Sequence, residues 1–199
     1  MPLDRQDLRR RLAAIAGEQS GHFTAAQALS VGYSYSAQKF HVDRGNWLRV
    51  DRGVFRLPEW PVGEHEDLVR WSLWSGGRAV VSHETALAVH ELGDVNPAVI
   101  HLTVPPNFRS RPPDGIRLHR GDLLEGDIWL YEGFTITTPL RALLDVAAGT
   151  LDLDQLGYAM QQACDRTPAI RDALVARAEA LGPRAALRVE RALRLVGQL

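Results

Sequence analysis

The side chains best suited to recognition chemistry cluster early in the chain. "YSAQKFHVDR" (35–44) brings Tyr35, Ser36, Gln38 and Lys39 together just after Ser34, and "WLRVDRGVFRLP" (47–58) carries Arg49, Arg52 and Arg56 against a single acid, Asp51. A glutamine can pair with the major-groove edge of adenine, a lysine can reach guanine or a phosphate, and a tyrosine can donate to a phosphate or touch a thymine methyl. Arginines along a hairpin grip phosphates, which adds affinity and salt dependence but little discrimination between sequences.

Other chemistries find less support. Of seven histidines, His83 and His90 are seven apart and can share a helix face, but Glu84 beside His83 does not make the HExxH spacing of zinc peptidases. His101 and His119 fall on two expected strands and could be neighbours. Asp94, Asp114, Asp122 and Asp127 sit at turns without the clustering a metal-dependent nuclease needs, and the one lysine, Lys39, lies in the expected recognition helix. Neither a GxxxxGK[ST] loop nor a GxGxxG run occurs. Cys164 reads as a core residue of an apolar helix. No catalytic residue, metal or cofactor is therefore expected, and the chain is read as a non-enzyme.

Composition agrees with a binding protein. The 199 residues carry a formal net charge of −1. Residues 1–58 nevertheless hold nine basic and five acidic side chains, so a basic front end is masked by an acidic body. No apolar run approaches the roughly 18–20 residues that span a bilayer, and one cysteine precludes an internal disulfide framework. The N-terminal stretch is a charged amphipathic helix pattern rather than a signal peptide, so a cytoplasmic location and no membrane partner are expected.

The elements that must position these groups can be read in order. Leu8, Leu12, Ile15 and Ala16 share one face of a helix over 4–17. Thr24 caps a short helix that Gly32 breaks, and Ser34 caps a second that stops at Gly45; the capped N–H groups could also meet phosphates. In the hairpin that follows, Leu48 and Val50 are expected to join Phe55 and Leu57 on the buried side. Trp47, Arg49 and Arg56 then face outward, and "DRG" makes the turn. That is the order of a winged helix-turn-helix, assigned to 1–58, with a boundary in "LPEWPVGEHE". The body, 64–199, should place strands over about 79–137 and helices over about 138–197, including 153–165, 168–180 and 183–197. The fold class is α+β: a winged helix-turn-helix, then a mixed body ending in a helical cluster. In the last helix Ala185, Ala186, Val189, Ala192, Leu193 and Val196 form the apolar face, and Arg184, Arg188 and Arg191 a basic stripe. The stripe either docks the helix or offers a second electropositive surface.

"GHFTAAQALSVGYSYSAQKFHVDRGNWLRVDRGVFRLP" resembles the N-terminal winged helix-turn-helix of AbiEi-type antitoxins of type IV toxin–antitoxin systems. The likeness rests on Phe23-Thr24-Ala25-Ala26-Gln27-Ala28, Gly32-Tyr33-Ser34, Gly45 and Arg52-Gly53-Val54-Phe55. "SHETALAVHELGDV", "IHLTVP", "IRLHRGDL" and "GFTITTPLRALLDVA" follow in the family's order, so the resemblance spans about 20–148. It implies a two-part antitoxin: a front domain that binds inverted repeats of double-stranded DNA in its own promoter and represses the operon, and a C-terminal part that counters a nucleotidyltransferase-like toxin. Two rivals stand beside it: an interaction protein in which the winged unit is degenerate and the body clamps a partner, and an enzyme that modifies the toxin through its histidine-bearing body.

Overall fold

A computed structural model describes residues 4–196, without the side chain of Val196. Residue 197, at the end of the last expected helix, and the Val196 side chain of its apolar face lie outside the described part. The described chain is α+β and forms two units, one running through Ala79 and including Leu130–Thr135, the other holding Val80–Trp129 and the chain from Ile136 onward. The expected boundary at 57–64 therefore falls inside the first unit.

In the first unit the order is α1 (Arg5–Gly17), β1 (His22–Thr24), α2 (Ala25–Val31), α3 (Tyr35–Asp43), β2 (Leu48–Asp51), β3 (Val54–Arg56) and α4 (Glu66–Trp74). Its three strands run antiparallel in the order β1-β3-β2. Leu12, Ala16, Phe23, Ala28, Trp47, Phe55 and their neighbours form one core, with the Phe23 and Trp47 rings edge to face at 4.9 Å.

The hairpin's sidedness corrects the sequence reading. Trp47 is 4% exposed and belongs to the core, whereas Leu48 is 43% exposed. Asp51 pairs with Val54, leaving a two-residue turn, and the register slips between Arg49 and Asp51. Such a bulge changes which side chains share a face. Arg56 does not point to solvent. It lies on the central strand, 7% exposed, and its guanidinium donates to the Trp60 carbonyl at 2.7 Å and faces Glu66 of α4 at 3.4 Å. The assignment of α4 to the body is what hid this: the helix packs against the strands, and its Glu66 faces Arg56.

The second unit contains β4 (Val80–Val81), α5 (His83–Val89), β5 (Ile100–Val104), β6 (Ile116–Arg120), the start of β7 (Ile128–Tyr131), the end of β8 (Phe134–Thr137), α6 (Pro139–Ala148), α7 (Leu153–Arg166), α8 (Ile170–Leu181) and α9 (Pro183–Val196). The strand order is β6-β5-β4-β8-β7; β5 and β6 are parallel, as are β4 and β8. Thr138 caps α6 by accepting from the Arg141 N–H, with Pro139 in the first turn. The helical cluster closes on Leu143, Leu156, Met160, Leu174, Val189 and Ala192, all essentially inaccessible.

Candidate nucleic-acid interface

The local chemistry that sets α2 and α3 is explicit. The Thr24 hydroxyl accepts from the Gln27 N–H at 3.1 Å while Gln27 Oε1 accepts from the Thr24 N–H at 2.7 Å, a closed capping box. Gly32 ends α2 at φ +121°, a conformation side chains rarely adopt, and a Cβ there would also meet Leu8 at 3.0 Å. The chain then re-enters a helix at Ser34, whose hydroxyl accepts from the Ala37 N–H at 3.2 Å.

This places Tyr35, Ser36, Lys39, Phe40, Asp43 and Arg44 on the exposed side of α3. Tyr35 is 70% and Phe40 52% exposed. Lys39 Nζ pairs with Asp43 at 2.6 Å, but both side chains are open to water, and such surface pairs are worth about 0–1 kcal/mol, so a phosphate or a base edge can displace the carboxylate. The Arg44 guanidinium lies 5.3 Å from the centre of the Phe40 ring. On the hairpin, Arg49 and Arg52 are exposed, and the Gly53 carbonyl at the turn accepts from the Ala25 N–H at 2.8 Å, which ties the hairpin tip to the start of α2. Arg49 rests 5.6 Å over the Phe55 ring, and neither arginine has a carboxylate partner among the described residues.

Gln38 requires a correction. It is 3% exposed, and its amide donates to the Ala25 and Tyr33 carbonyls, both at 3.1 Å. Both N–H groups are spent bracing α3 against α2, so Gln38 cannot read a base. Replacing it with leucine is expected to lower stability by about 1–3 kcal/mol, because buried carbonyls lose their donor. Denaturant unfolding would measure this; a neutral variant would mean that the brace is dispensable.

The basic stripe on α9 is also largely committed. Arg184 donates to the Gly149 carbonyl and Arg188 to the Leu151 carbonyl, so both fasten the helix to the loop after α6, while Arg191 remains exposed. Arg184 nevertheless stays exposed, as Arg191 does, while Arg188 is half-buried.

In the second unit three imidazoles converge. His83 and His119 stack with centroids 3.5 Å apart, His119 Nε2 lies 3.2 Å from His101 Nδ1, and His101 Nδ1 lies 2.7 Å from Glu84 Oε2. Parallel pairing of β5 with β6 brings His101 and His119 together, as their strand positions suggested. Burial and the adjacent His119 push His83 down to about 3, and burial with His101 pushes His119 down to about 4. Burial raises Glu84, but the His101 hydrogen bond outweighs it and brings it down to about 2. Burial lifts Asp145 to about 6 against the pull of Arg141. Among the described residues no group of three or more His, Cys, Asp or Glu has the arrangement of a metal site.

The sign of the pH dependence follows. Histidines with folded pKa values below the unfolded value of about 6.5 bind protons better in the unfolded chain, so stability falls as pH drops from about 6.5 toward 4. Asp145 works in the opposite sense between about 6 and its ordinary value, but two depressed histidines outweigh one raised carboxyl. Urea unfolding at pH 7 and pH 5 should show the second unit weakened by about 1–2 kcal/mol at the lower pH, the imidazoles being partly open to solvent. His119→Asn should make that fall shallower; parallel curves would remove the triad as its cause.

No family model and no curated protein sequence matches the chain. A solved structure does: the Rv2827c protein from Mycobacterium tuberculosis aligns over 93% of this chain and 77% of its own, with a TM-score of 0.54 and 14% identity. At that identity the likeness is one of fold, and it accords with the α+β class.

Of the expected interface residues, the structure thus groups Tyr35, Ser36 and Lys39 on one exposed face, with Ser34 as its cap, and leaves Arg49 and Arg52 exposed on the hairpin. It removes Gln38 and Arg56 and adds Phe40 and Arg44. The added pair was detectable from spacing alone: Phe40 and Arg44 continue the Ser36 face at i+4 and i+8.

Proposed function

We propose that residues 4–58 bind double-stranded DNA as a winged helix-turn-helix, and that the protein is a transcriptional autorepressor and antitoxin of the AbiEi type, opposing a nucleotidyltransferase-like toxin. The observation that carries the DNA reading is the exposed face of α3. Lys39, Phe40 and Arg44 are free of the core there, and the exposed Arg49 and Arg52 lie on the hairpin that follows. A B-DNA major groove admits one helix, and the residues of its exposed face reach base edges. Lys39 and Arg44 supply donors for guanine, Phe40 an apolar contact for a thymine methyl, and Arg49 and Arg52 the phosphate grip. The antitoxin part rests on the sequence resemblance across 20–148.

Fluorescence anisotropy with DNA from upstream of the operon, run at two salt concentrations, tests the reading. The expected result is saturable binding that weakens steeply with salt; salt-insensitive or absent binding overturns it. A second reading has its own support: Tyr35 and Phe40 are large apolar surfaces on the same face, and Asp43 dilutes its charge. On that reading α3 docks a protein. Co-purification of the neighbouring gene product, lost on Phe40→Ala with DNA binding unaffected, would favour it.

A further inference from the structure

The second unit holds a largely apolar cleft of about 620 Å³ to which the DNA reading gives no role. Trp129 of β7, Leu140 of α6, and Ile170 and Ala173 of α8 line its apolar side. Two polar side chains also line it: His90, just after α5, and Arg166, at the end of α7. Trp129 is 51% exposed, and its one ring neighbour among the described residues is His90, edge to face at 5.8 Å. Half of the indole surface is therefore open, and Leu140 and Ala173 beside the cleft are only partly covered.

The polar members are fixed in different states. His90 Nε2 lies 2.7 Å from the Thr137 carbonyl, so it carries a proton and donates it. Burial and the nearby Arg166 charge lower the His90 pKa against the pull of that hydrogen bond, so the ring is neutral near pH 7. Nδ1 is then an acceptor with no donor among the described residues. Arg166 is held at the rim, its two terminal nitrogens donating to the His90 and Glu91 carbonyls at 2.7 and 2.8 Å. Its other N–H groups are left over for a ligand.

Each feature narrows the ligand. The volume lies within the few hundred to roughly 1,000 Å³ of small-molecule sites, which set a few polar contacts in mostly apolar walls. An open indole surface favours a planar ring, stacked offset or edge on. A fixed guanidinium with spare donors favours a carboxylate, through charge-assisted hydrogen bonds. A lone acceptor favours one N–H or O–H on the ring, since a ligand without it strips water from Nδ1 and replaces nothing.

We propose that this cleft binds a small aromatic carboxylate bearing one ring N–H or O–H. Its ring lies against Trp129, Leu140 and Ala173, its carboxylate on Arg166, and its N–H or O–H donates to His90 Nδ1. The site goes beyond the DNA-binding reading, belongs to the second unit alone and is tested without DNA. An occupant touches α6, α7, α8 and β7 at once, so it ties the helical cluster to the edge of the sheet.

The test is a ¹H–¹⁵N NMR titration of the full chain with indole-3-acetate, following the Trp129 indole N–H and the Ala173 amide. Saturable shifts at both, with a Kd of about 1 mM or tighter, are expected. Trp129→Ala, at a half-exposed position, should weaken binding about fivefold or more, and Ala173→Leu, which fills the cleft, about tenfold or more. Arg166→Gln should weaken indole-3-acetate about fivefold and leave uncharged indole unchanged. 1-Naphthaleneacetate keeps the ring and the carboxylate but lacks the N–H, and should bind about threefold or more weakly than indole-3-acetate. No saturable shift at Trp129 up to about 10 mM overturns the proposal. So does binding that neither Trp129→Ala nor Ala173→Leu weakens, an Arg166→Gln effect equal for indole and indole-3-acetate, or 1-naphthaleneacetate binding as tightly as indole-3-acetate.

Discussion

Replacing Asp127 with alanine is expected to destabilise the second unit by about 3–5 kcal/mol, the range found when one partner of a buried ionic network is removed. Asp127 is 1% exposed. Its Oδ2 accepts from Arg141 at 3.0 Å and from the Leu124 N–H at 3.3 Å, and its Oδ1 accepts from Arg177 at 2.6 Å. Burial raises its pKa, but the Arg177 and Arg141 hydrogen bonds outweigh that and hold the carboxyl ionised. Arg141 also donates to Asp145 at 2.7 Å, so one carboxylate links α6, α8 and the start of β7. Alanine removes the carboxylate that Arg177 pairs with and leaves Arg141, its side chain only 15% exposed, with Asp145 alone. Because the chain has two units, a single midpoint can mislead. Amide hydrogen exchange at Thr138, whose N–H donates to the Asp127 carbonyl, localises the loss. A fall below about 1 kcal/mol would mean that the network fixes geometry without stabilising. Arg177→Ala should cost less, since its side chain is 35% exposed, and the double variant should fall short of the sum.

The same residue shows how far the sequence could be read. Asp127 is visible there as one of several turn carboxylates, with nothing local to pair it with Arg141 and Arg177, which are 14 and 50 residues away. Capping is different: Thr24, Ser34 and Thr138 are legible because a cap acts within three residues. The apolar faces of α1 and α9 were likewise legible from helical spacing, as Leu12, Ala16, Val189 and Ala192 are buried where the pattern places them. The hairpin was not. Alternation predicts its sidedness only for an unbroken ladder with one solvated face, and here a bulge shifts the register while Glu66 of α4 takes up Arg56. The interface suffered for related reasons. Gln38 and Lys39 are adjacent, yet one residue of helical rotation (about 100°) separates a buried brace from an exposed side chain. Arg52 and Arg56 look alike in sequence, but one sits at a turn and the other on a central strand.

That last difference gives the second prediction. On the DNA-binding reading, Arg49→Ala with Arg52→Ala should weaken binding to every DNA sequence alike, by about 10- to 100-fold at low salt, and reduce the salt slope by about 2, since each phosphate contact contributes about 0.9. Arg44→Ala or Lys39→Ala should instead change the preferred operator, by about 1–3 kcal/mol at the affected base pair. Arg56→Ala supplies the internal control. Its guanidinium faces Glu66 beneath α4, so its loss should lower stability and leave the salt slope of the folded fraction unchanged. Anisotropy titrations from about 50 to 200 mM salt, with operator and scrambled DNA, separate the three patterns. If the double variant alters sequence preference, or if Arg56→Ala reproduces its salt slope, the division between a phosphate-gripping hairpin and a base-reading α3 fails. If it holds, the basic excess of the front end acts through few arginines: Arg49 and Arg52 at the phosphates and Arg44 at the bases, with Arg56 taken up by the fold.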